Sequence, residues 1–484
     1  VKKGSVSIFF AMTFLSLASF FLVLAEGVRM QAFAKTLSIR DEETQSYLES
    51  MYHQKLWKDY GILGLDSKFG HETSDELVRH VKDYISSDSS CDKRGMNYYI
   101  SDIVLLSTKN EVYLTDSGGE AFFDLALEAE KEQFLKKGLN KLSDELQKGF
   151  KNNEKMDLKS IIEKGQKALK DVKPEETKES KDDEVENKYP KKDWSNTENP
   201  MDVAKNRDSE ADLSFWIGDD KHCSEKNIDL KALYSFDSNE RCRDRSPLER
   251  LIFSEYAFDY FGNYLEERKA GALAYGAEYL LMGKESDEAN LKAVIKRLLA
   301  LREIQNAIAI KTHPALDMEA GSLATSMCLL IGNPGIIEVV KMGIIASWAY
   351  VESVLDIRAL LRGKTIPIQK TAESFTSDLA TLGTYLAKDK YAKEVKIGLD
   401  YKMSLRALYM IENVTRINER ALGLINLEVN KDKLYSGFQI QKVLVECDLC
   451  VKYQTSDLFL GYANLKNKKE KTSYERTVHF SFIT

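Results

Sequence analysis

The hydrophobic pattern changes character several times along this chain. From Ile8 to Ala25 no residue is charged, and only Thr13, Ser16 and Ser19 interrupt the apolar run. An α-helix of that length spans about 27 Å at about 1.5 Å per residue, close to the hydrocarbon thickness of a bilayer. Apolar positions then recur at helical spacing: Phe33, Leu37, Leu48, Met51/Tyr52, Leu56 and Tyr60; from Glu26 to Tyr60 there is no proline, and Gly27 is the only glycine. The pattern predicts one long helix, its first half in lipid and its second half packed on a domain. Tyr98–Leu106 and Glu111–Thr115 read as strands, Asp116–Gly119 as a turn, and a helix follows from about Glu120. Mixed charges dominate between Lys170 and Asp193, too polar to offset their ordering entropy by burial.

From Ser246 to Leu427 the periodicity is helical. Pro247 suits a helix start, and Leu248 to Met282 continues without another proline. Ser286 is an N-cap candidate with Asp287 and Glu288 in the first turn, and His313-Pro314 ends that helix. Ala320–Ile331 and Ile336–Leu361 form two further helices around Gly332-Asn-Pro-Gly335. Each uncharged piece of that pair is too short to cross a bilayer, so a hairpin buried in a helical domain is expected. Phe438–Tyr453 and Thr477–Ile483 predict a C-terminal antiparallel pair around a polar Asn464–Ser473 turn.

Lys2 and Lys3 precede the apolar run, and Glu26 and Arg29 close it. A cleaved secretory signal shares that design, and Ala32-Phe33-Ala34 offers a cleavage-like pattern. Continuation of the helical pattern favours a retained anchor. Arg29, Lys35 and Arg40 blunt the positive-inside count, but an anchor after a seven-residue leader favours export of the long C-terminal part.

Composition narrows the functional class. The chain has 484 residues, 43% of them hydrophobic, which is ample for a folded core. A formal charge of -7 gives no electrostatic case for nucleic acid. Six cysteines are too few for a disulfide scaffold, although Cys223 and Cys242 could bridge in an oxidising compartment.

Candidate chemistry is sparse. Cys447-Asp-Leu-Cys450 is a lone pair without further zinc ligands, and it falls in a predicted strand, where residues three apart face opposite ways. Glu352 and Asp356 sit one turn apart on an apolar helix. Paired carboxylates can do acid–base work, yet Arg358 is near in sequence, and Arg297 or Arg302 on a neighbouring helix can complete a structural ion-pair network. Tyr256, Tyr260 and Tyr264 form a one-per-turn stripe of the kind that fills cores. The six histidines are dispersed, and no nucleotide-loop, zinc-protease or serine-hydrolase motif is present. We therefore expect no catalytic, cofactor-binding or metal-ligating residues, no small-molecule ligand and no enzyme activity.

Lys3-Gly4-Ser5-Val6-Ser7-Ile8-Phe9-Phe10, followed by an apolar helix ending Leu24-Ala25-Glu26-Gly27-Val28-Arg29, resembles the N-termini of TadE/TadF-like pseudopilins of tight-adherence (Flp-type) pilus systems. The chain further resembles an uncharacterised family of Gram-positive membrane-anchored proteins. In that family Glu278–Leu291 and Trp348–Lys364 have counterparts. The resemblance implies a single-pass protein of the cell membrane with an extracytoplasmic domain and protein partners in a pilus or secretion apparatus. One departure stands out. If Gly4 were a processing glycine, Phe9 would occupy the position where many pilins carry a glutamate that neutralises a neighbour's terminal amine.

The expectation is an α+β protein: a long N-terminal membrane helix, a small antiparallel sheet region and a large helical domain. Residues 1–7 form a cytoplasmic leader, 8–25 the lipid-contacting transmembrane helix, and 26–135 a helix extension with an α/β region. Residues 136–210 form a charged linker or insertion, partly disordered; 211–427 a helical domain; and 428–484 C-terminal β-strands. The expected role is a non-enzymatic, membrane-anchored component of a Tad-like pilus or secretion assembly. A membrane-tethered enzyme or ligand-binding receptor is the alternative.

Overall fold

The structure is a computed structural model. It describes residues 2–65, 74–89, 102–137, 164, 167, 189, 192–194, 197–205, 212–236, 240–331, 333–456 and 471–483. The fold is α+β, with a long apolar N-terminal helix, mostly helical content and one small antiparallel sheet. The chain divides into two compact units, one comprising residues 1–129, 233–243 and 421–484, the other 130–232 and 244–420. Most of the charged segment 136–210 lies outside the described residues.

The first unit begins with α1 (Lys2–Ser50). Its apolar start is exposed all round, whereas from Glu26 onward it buries one face: Glu26, Arg29, Phe33, Leu37, Thr44 and Leu48. Those spacings of three, four and seven trace a single helical stripe. The stripe packs on the sheet, where the Phe33 ring meets Tyr474 edge-on at 5.4 Å and Arg476 Nε donates to Asp41 at 2.7 Å. Tyr47 stacks on Tyr84 of α3 (Ser74–Ser89), with centroids 4.0 Å apart.

The expected helix does not run unbroken to Tyr60. It stops at Ser50, and α2 (Gln54–Tyr60) starts anew. Local polar pairing sets this break without glycine or proline. The His53 backbone N–H donates to Gly64 O at 2.9 Å, and His53 Nδ1 caps α2 by accepting the Leu56 N–H at 3.2 Å. Gly61 then ends α2 in a left-handed conformation (φ 66°), which glycine adopts at little cost.

The sheet contains β1 (Asp102–Tyr113), β2 (Leu444–Ser456) and β3 (Lys471–Ser481), all antiparallel in the order β1-β2-β3. Leu106 lies opposite Val451, and Val451 opposite Arg476. An antiparallel C-terminal pair is present as expected, although β2 starts only at Leu444 and β3 takes in Lys471–Ser473, which were expected in the turn; its outer partner comes from the first quarter of the chain. The two strands expected at 98–106 and 111–115 form one within the described residues; positions 98–101 lie outside them. Register shifts occur near Asn110, itself at φ 50°, where the strand continues through the polar positions between the two expected segments. After β1, Ser117, Gly118 and Gly119 make a left-handed turn at the start of α4 (Asp116–Lys137), where the sequence predicted a turn.

The second unit is helical. Ser246 and Glu249 form a reciprocal capping box that opens α5 (Pro247–Phe261). Contrary to the proline-free run, the helix does not reach Met282. It ends at Gly262 (φ 72°), and α6 (Gly276–Met282) starts after an irregular loop. A Cβ at Gly276 would stand 2.7 Å from the Phe261 carbonyl, so only glycine permits that approach. Then come α7 (Asp287–Thr312), α8 (Pro314–Ile331), α9 (Ile337–Leu361) and α10 (Tyr401–Ile411), followed by α11 (Val414–Lys431), whose residues from 421 belong to the first unit. The α8–α9 hairpin is packed in the domain as expected, and every residue of α9 from Gly343 to Leu361 is buried. Tyr189 and Trp194 dock on the first half of α8. Gly321 leaves space for the Tyr189 ring, and Trp194 Nε1 donates to Ser322 Oγ at 3.1 Å.

Candidate functional site: a buried charge network on the central helix

A helix enclosed on all sides should be apolar throughout, yet α9 carries Glu352, Asp356 and Arg358 with almost no exposure. Ions without partners there would cost several kcal/mol each, so their partners define the site. Asp356 Oδ2 accepts from Arg302 Nη2 at 2.7 Å, Arg302 Nε at 3.0 Å and Asn306 Nδ2 at 3.1 Å. Lys370 Nζ lies 2.7 Å from Asp356 Oδ1 and also bonds Glu352 Oε1, bridging the two carboxylates. Glu352 further accepts the backbone N–H groups of Thr376 and Ser377, each at 2.9 Å, and the Ser377 hydroxyl at 2.5 Å. Burial pushes the Asp356 carboxyl up, but Arg302 and Lys370 outweigh it and hold the group below its ordinary value.

Two cations therefore meet two anions, and the charges balance within the network. The network also explains how the irregular segment 362–400 lies against the core. That segment supplies Lys370, Thr376 and Ser377, so the helix carboxylates replace the water its backbone would otherwise need. Arg358 does the same with opposite sign. Its guanidinium donates to the carbonyls of Phe215 (2.9 Å), Ala387 (2.7 Å) and Leu386 (3.0 Å), and burial lowers its pKa to about 10.

Of the cationic partners named from sequence, Arg302 joins the carboxylates. Arg297 instead pairs with Glu412 at 2.5 Å, and Arg358 is occupied by carbonyls. Lys370 was missed because it lies in an irregular loop, where no periodicity ties it to a helix face.

The Glu278–Leu291 stretch is a second polar cluster. Glu278 is fully buried, accepts from Tyr264 N–H (2.9 Å) and Tyr401 Oη (2.8 Å), and burial pushes its pKa up to about 7. Asp287 accepts the N–H groups of Ala274 and Tyr275. Ser286 caps α7 as expected, at 3.2 Å from Ala289 N, while Asn290 closes the turn by bonding Lys284 N and O. Gly283 (φ 64°) lies against the Arg420 guanidinium. These residues lock α6 to α7.

The remaining candidates do not converge. Cys447 is buried in β2 and its thiol is pushed up to about 12 by burial, while Cys450 is half-buried; both are free, as is Cys223, so the Cys223–Cys242 bridge considered from the sequence is not formed. Tyr256 is core, Tyr260 is half-buried, and Tyr264 lies beyond the end of α5, edge-on to Tyr275. Among the described residues no group of His, Cys, Asp and Glu could hold a metal ion.

The fold and this site define an α+β protein with a long apolar N-terminal helix in one unit and a closed, charge-balanced helical core in the other. Residues 190–455, more than half of the chain, match the family of unknown function DUF5702, and the chain belongs to that family. No curated protein and no solved structure matches it.

Proposed function

We propose that the protein is a single-pass membrane component whose extracytoplasmic part recruits partners in a Tad-like pilus or secretion assembly, without catalysing a reaction. The observation that carries the reading is the change along α1. Its apolar segment is wholly unburied, whereas from Glu26 the same helix buries a single stripe. A soluble core helix would bury its apolar part, and this one leaves it for another medium. One helix among the described residues is long and apolar enough to cross a membrane, and a signal sequence near an N-terminus would pass the same test. Continuity of α1 with the sheet-packed stripe favours a retained anchor.

The pilus link is supported by the pseudopilin-like residues Lys3–Phe10 and Leu24–Arg29, which lie outside the range matched to the family. Phe9 favours a stationary anchor over a polymerising stem. The closed network around Glu352 and Asp356 supports the non-enzymatic reading, because a general acid or base must reach its substrate.

Protease shaving of intact, wall-stripped cells tests the topology. Cleavage between Lys170 and Asp193 from outside is expected. Full protection beside a digested surface control would overturn it. Purification in mild detergent then tests the assembly role: co-purifying pilin-like subunits are expected, and a solitary chain would count against it.

A further inference from the structure

Glu26 and Arg29 end the charge-free sequence of α1, yet neither puts a charge on its surface. They pair with each other, Arg29 Nη2 to Glu26 Oε1 at 2.5 Å, and both are buried. Val28 between them is 68% exposed, and the first exposed charge on the helix after Val6 is Lys35. The uncharged surface therefore runs from Val6 to Ala34, about 42 Å at about 1.5 Å per residue. A bilayer with its headgroup layers is about 40–45 Å thick, of which the hydrocarbon takes about 30 Å. The stretch of α1 beyond Ala25 thus has the surface and the reach of a segment crossing the headgroup layer.

The sheet meets α1 inside that stretch. Tyr474 lies edge-on to Phe33, and its hydroxyl donates to Met30 Sδ at 3.5 Å. Farther along α1, Arg476 Nη2 donates to Ser38 Oγ at 3.0 Å and Nε to Asp41 Oδ2 at 2.7 Å. β3 therefore climbs away from the apolar end of α1 as its numbering rises. Register carries that direction across the sheet: Tyr474 lies opposite Tyr453, and Tyr453 opposite Ile103. The start of β1 is thus level with Met30 and Phe33, and all of these residues belong to the first unit. A bulge there sets Ile103 and Leu105 opposite the consecutive residues Tyr453 and Lys452, and leaves Val104 between them. Val104 is 52% exposed and Leu105 55%. At the other end of β1 the exposed side chains are polar, Lys109 and Asn110. Apolar exposure on this strand is confined to the end level with the membrane side of α1.

We propose that this end of the sheet, Val104 and Leu105 together with the α1 surface up to Ala34, rests in the interfacial layer of a lipid bilayer, so that the first unit is seated on the membrane and not held above it on a stalk. The proposal rests on the anchor reading of α1. The charged side chains nearest this end do not oppose the contact as lone ions: Lys452 pairs with Glu475 at 2.6 Å and Arg476 with Asp41 at 2.6 Å. Apolar side chains are favoured at that depth, whereas Lys109 lies opposite Asp448, and Asp448 opposite His479, about 17 Å farther along the sheet at about 3.4 Å per residue.

The test uses the full chain reconstituted in phosphatidylcholine nanodiscs, with a benzophenone side chain installed singly in place of Phe14, Val104 or Lys109. Lys109 is exposed on the same strand and serves as the water-facing control. After illumination, lipid adducts detected by intact mass are expected at positions 14 and 104 and not at 109. An adduct at 14 without one at 104 overturns the seating of the sheet and leaves the anchor standing. Absence at both overturns both readings. Adducts of equal abundance at 104 and 109 overturn the assignment to one end of the strand. A covalent dimer formed through position 104 overturns the lipid contact in favour of a second copy.

Discussion

Arg302 on α7 grips a single carboxylate oxygen of Asp356 on α9 with two nitrogens, at 2.7 and 3.0 Å, and both side chains are buried. The pair ties the two helices together and, through Lys370, fastens the segment that follows α9.

Breaking this network from one side leaves an uncompensated buried charge. Asp356→Ala or Lys370→Met should destabilise the protein by about 3–5 kcal/mol, read as a fall in denaturation midpoint with unchanged slope. Arg243→Ala, which removes exposed pairs with Glu120 and Asp124, should cost at most about 1 kcal/mol. Equal effects would show that the buried network carries no special weight. In Lys370→Met, the Thr376 and Ser377 amides should also exchange faster with solvent.

Glu278 predicts a pH dependence of opposite sign to that of a salt-bridged acid. Its folded pKa of about 7 lies above the ordinary 4.5, so the folded state holds the proton more tightly. Stability is then greatest below the unfolded value and declines as pH rises from about 4.5 to about 7, by about 3 kcal/mol. Glu278→Gln keeps an acceptor for Tyr264 N–H and Tyr401 Oη but cannot ionise. Its denaturation midpoint should vary less between pH 5 and pH 8 and exceed the parent's at about pH 8. A parallel pair of curves would assign the slope to other groups. Asp356, held below 3.8, contributes stability that is lost only in more acidic solution.

Thiol labelling should separate the two cysteines of the CxxC. Cys450 is half-buried and should react with a maleimide in the native state, while Cys447 should wait for denaturant because burial removes access and disfavours its thiolate. Matched rates would point to a reactive pair.

A single cut between Lys170 and Asp193 should not release the N-terminal fragment. β1 on one side of the cut pairs with β2 on the other, and α1 packs on β3. Size-exclusion chromatography of nicked, detergent-solubilised protein should give one peak that separates only in denaturant. Separation without denaturant would mean that the sheet does not hold the fragments.

Local order was legible in the residues themselves. The charge-free run at 8–25, the N-cap at Ser286, the stop at His313-Pro314 and the buried hairpin follow from hydrophobic spacing, hydroxyl capping and proline's missing N–H, all of which act within a few positions. Strand character read at 438–453 and 477–483 was equally local, while the observed bounds, 444–456 and 471–481, follow from pairing. Tertiary structure alone decided what paired at a distance. It set β1 beside β2 across more than 300 residues, stopped α1 at Ser50 through the His53–Gly64 bond, and selected Arg302 and Lys370, not Arg358, for the carboxylates of α9. Periodicity says which face of an element seeks cover. It does not say which distant charge or strand supplies it, because that depends on how separate segments pack, and their spacing in the chain carries no record of it.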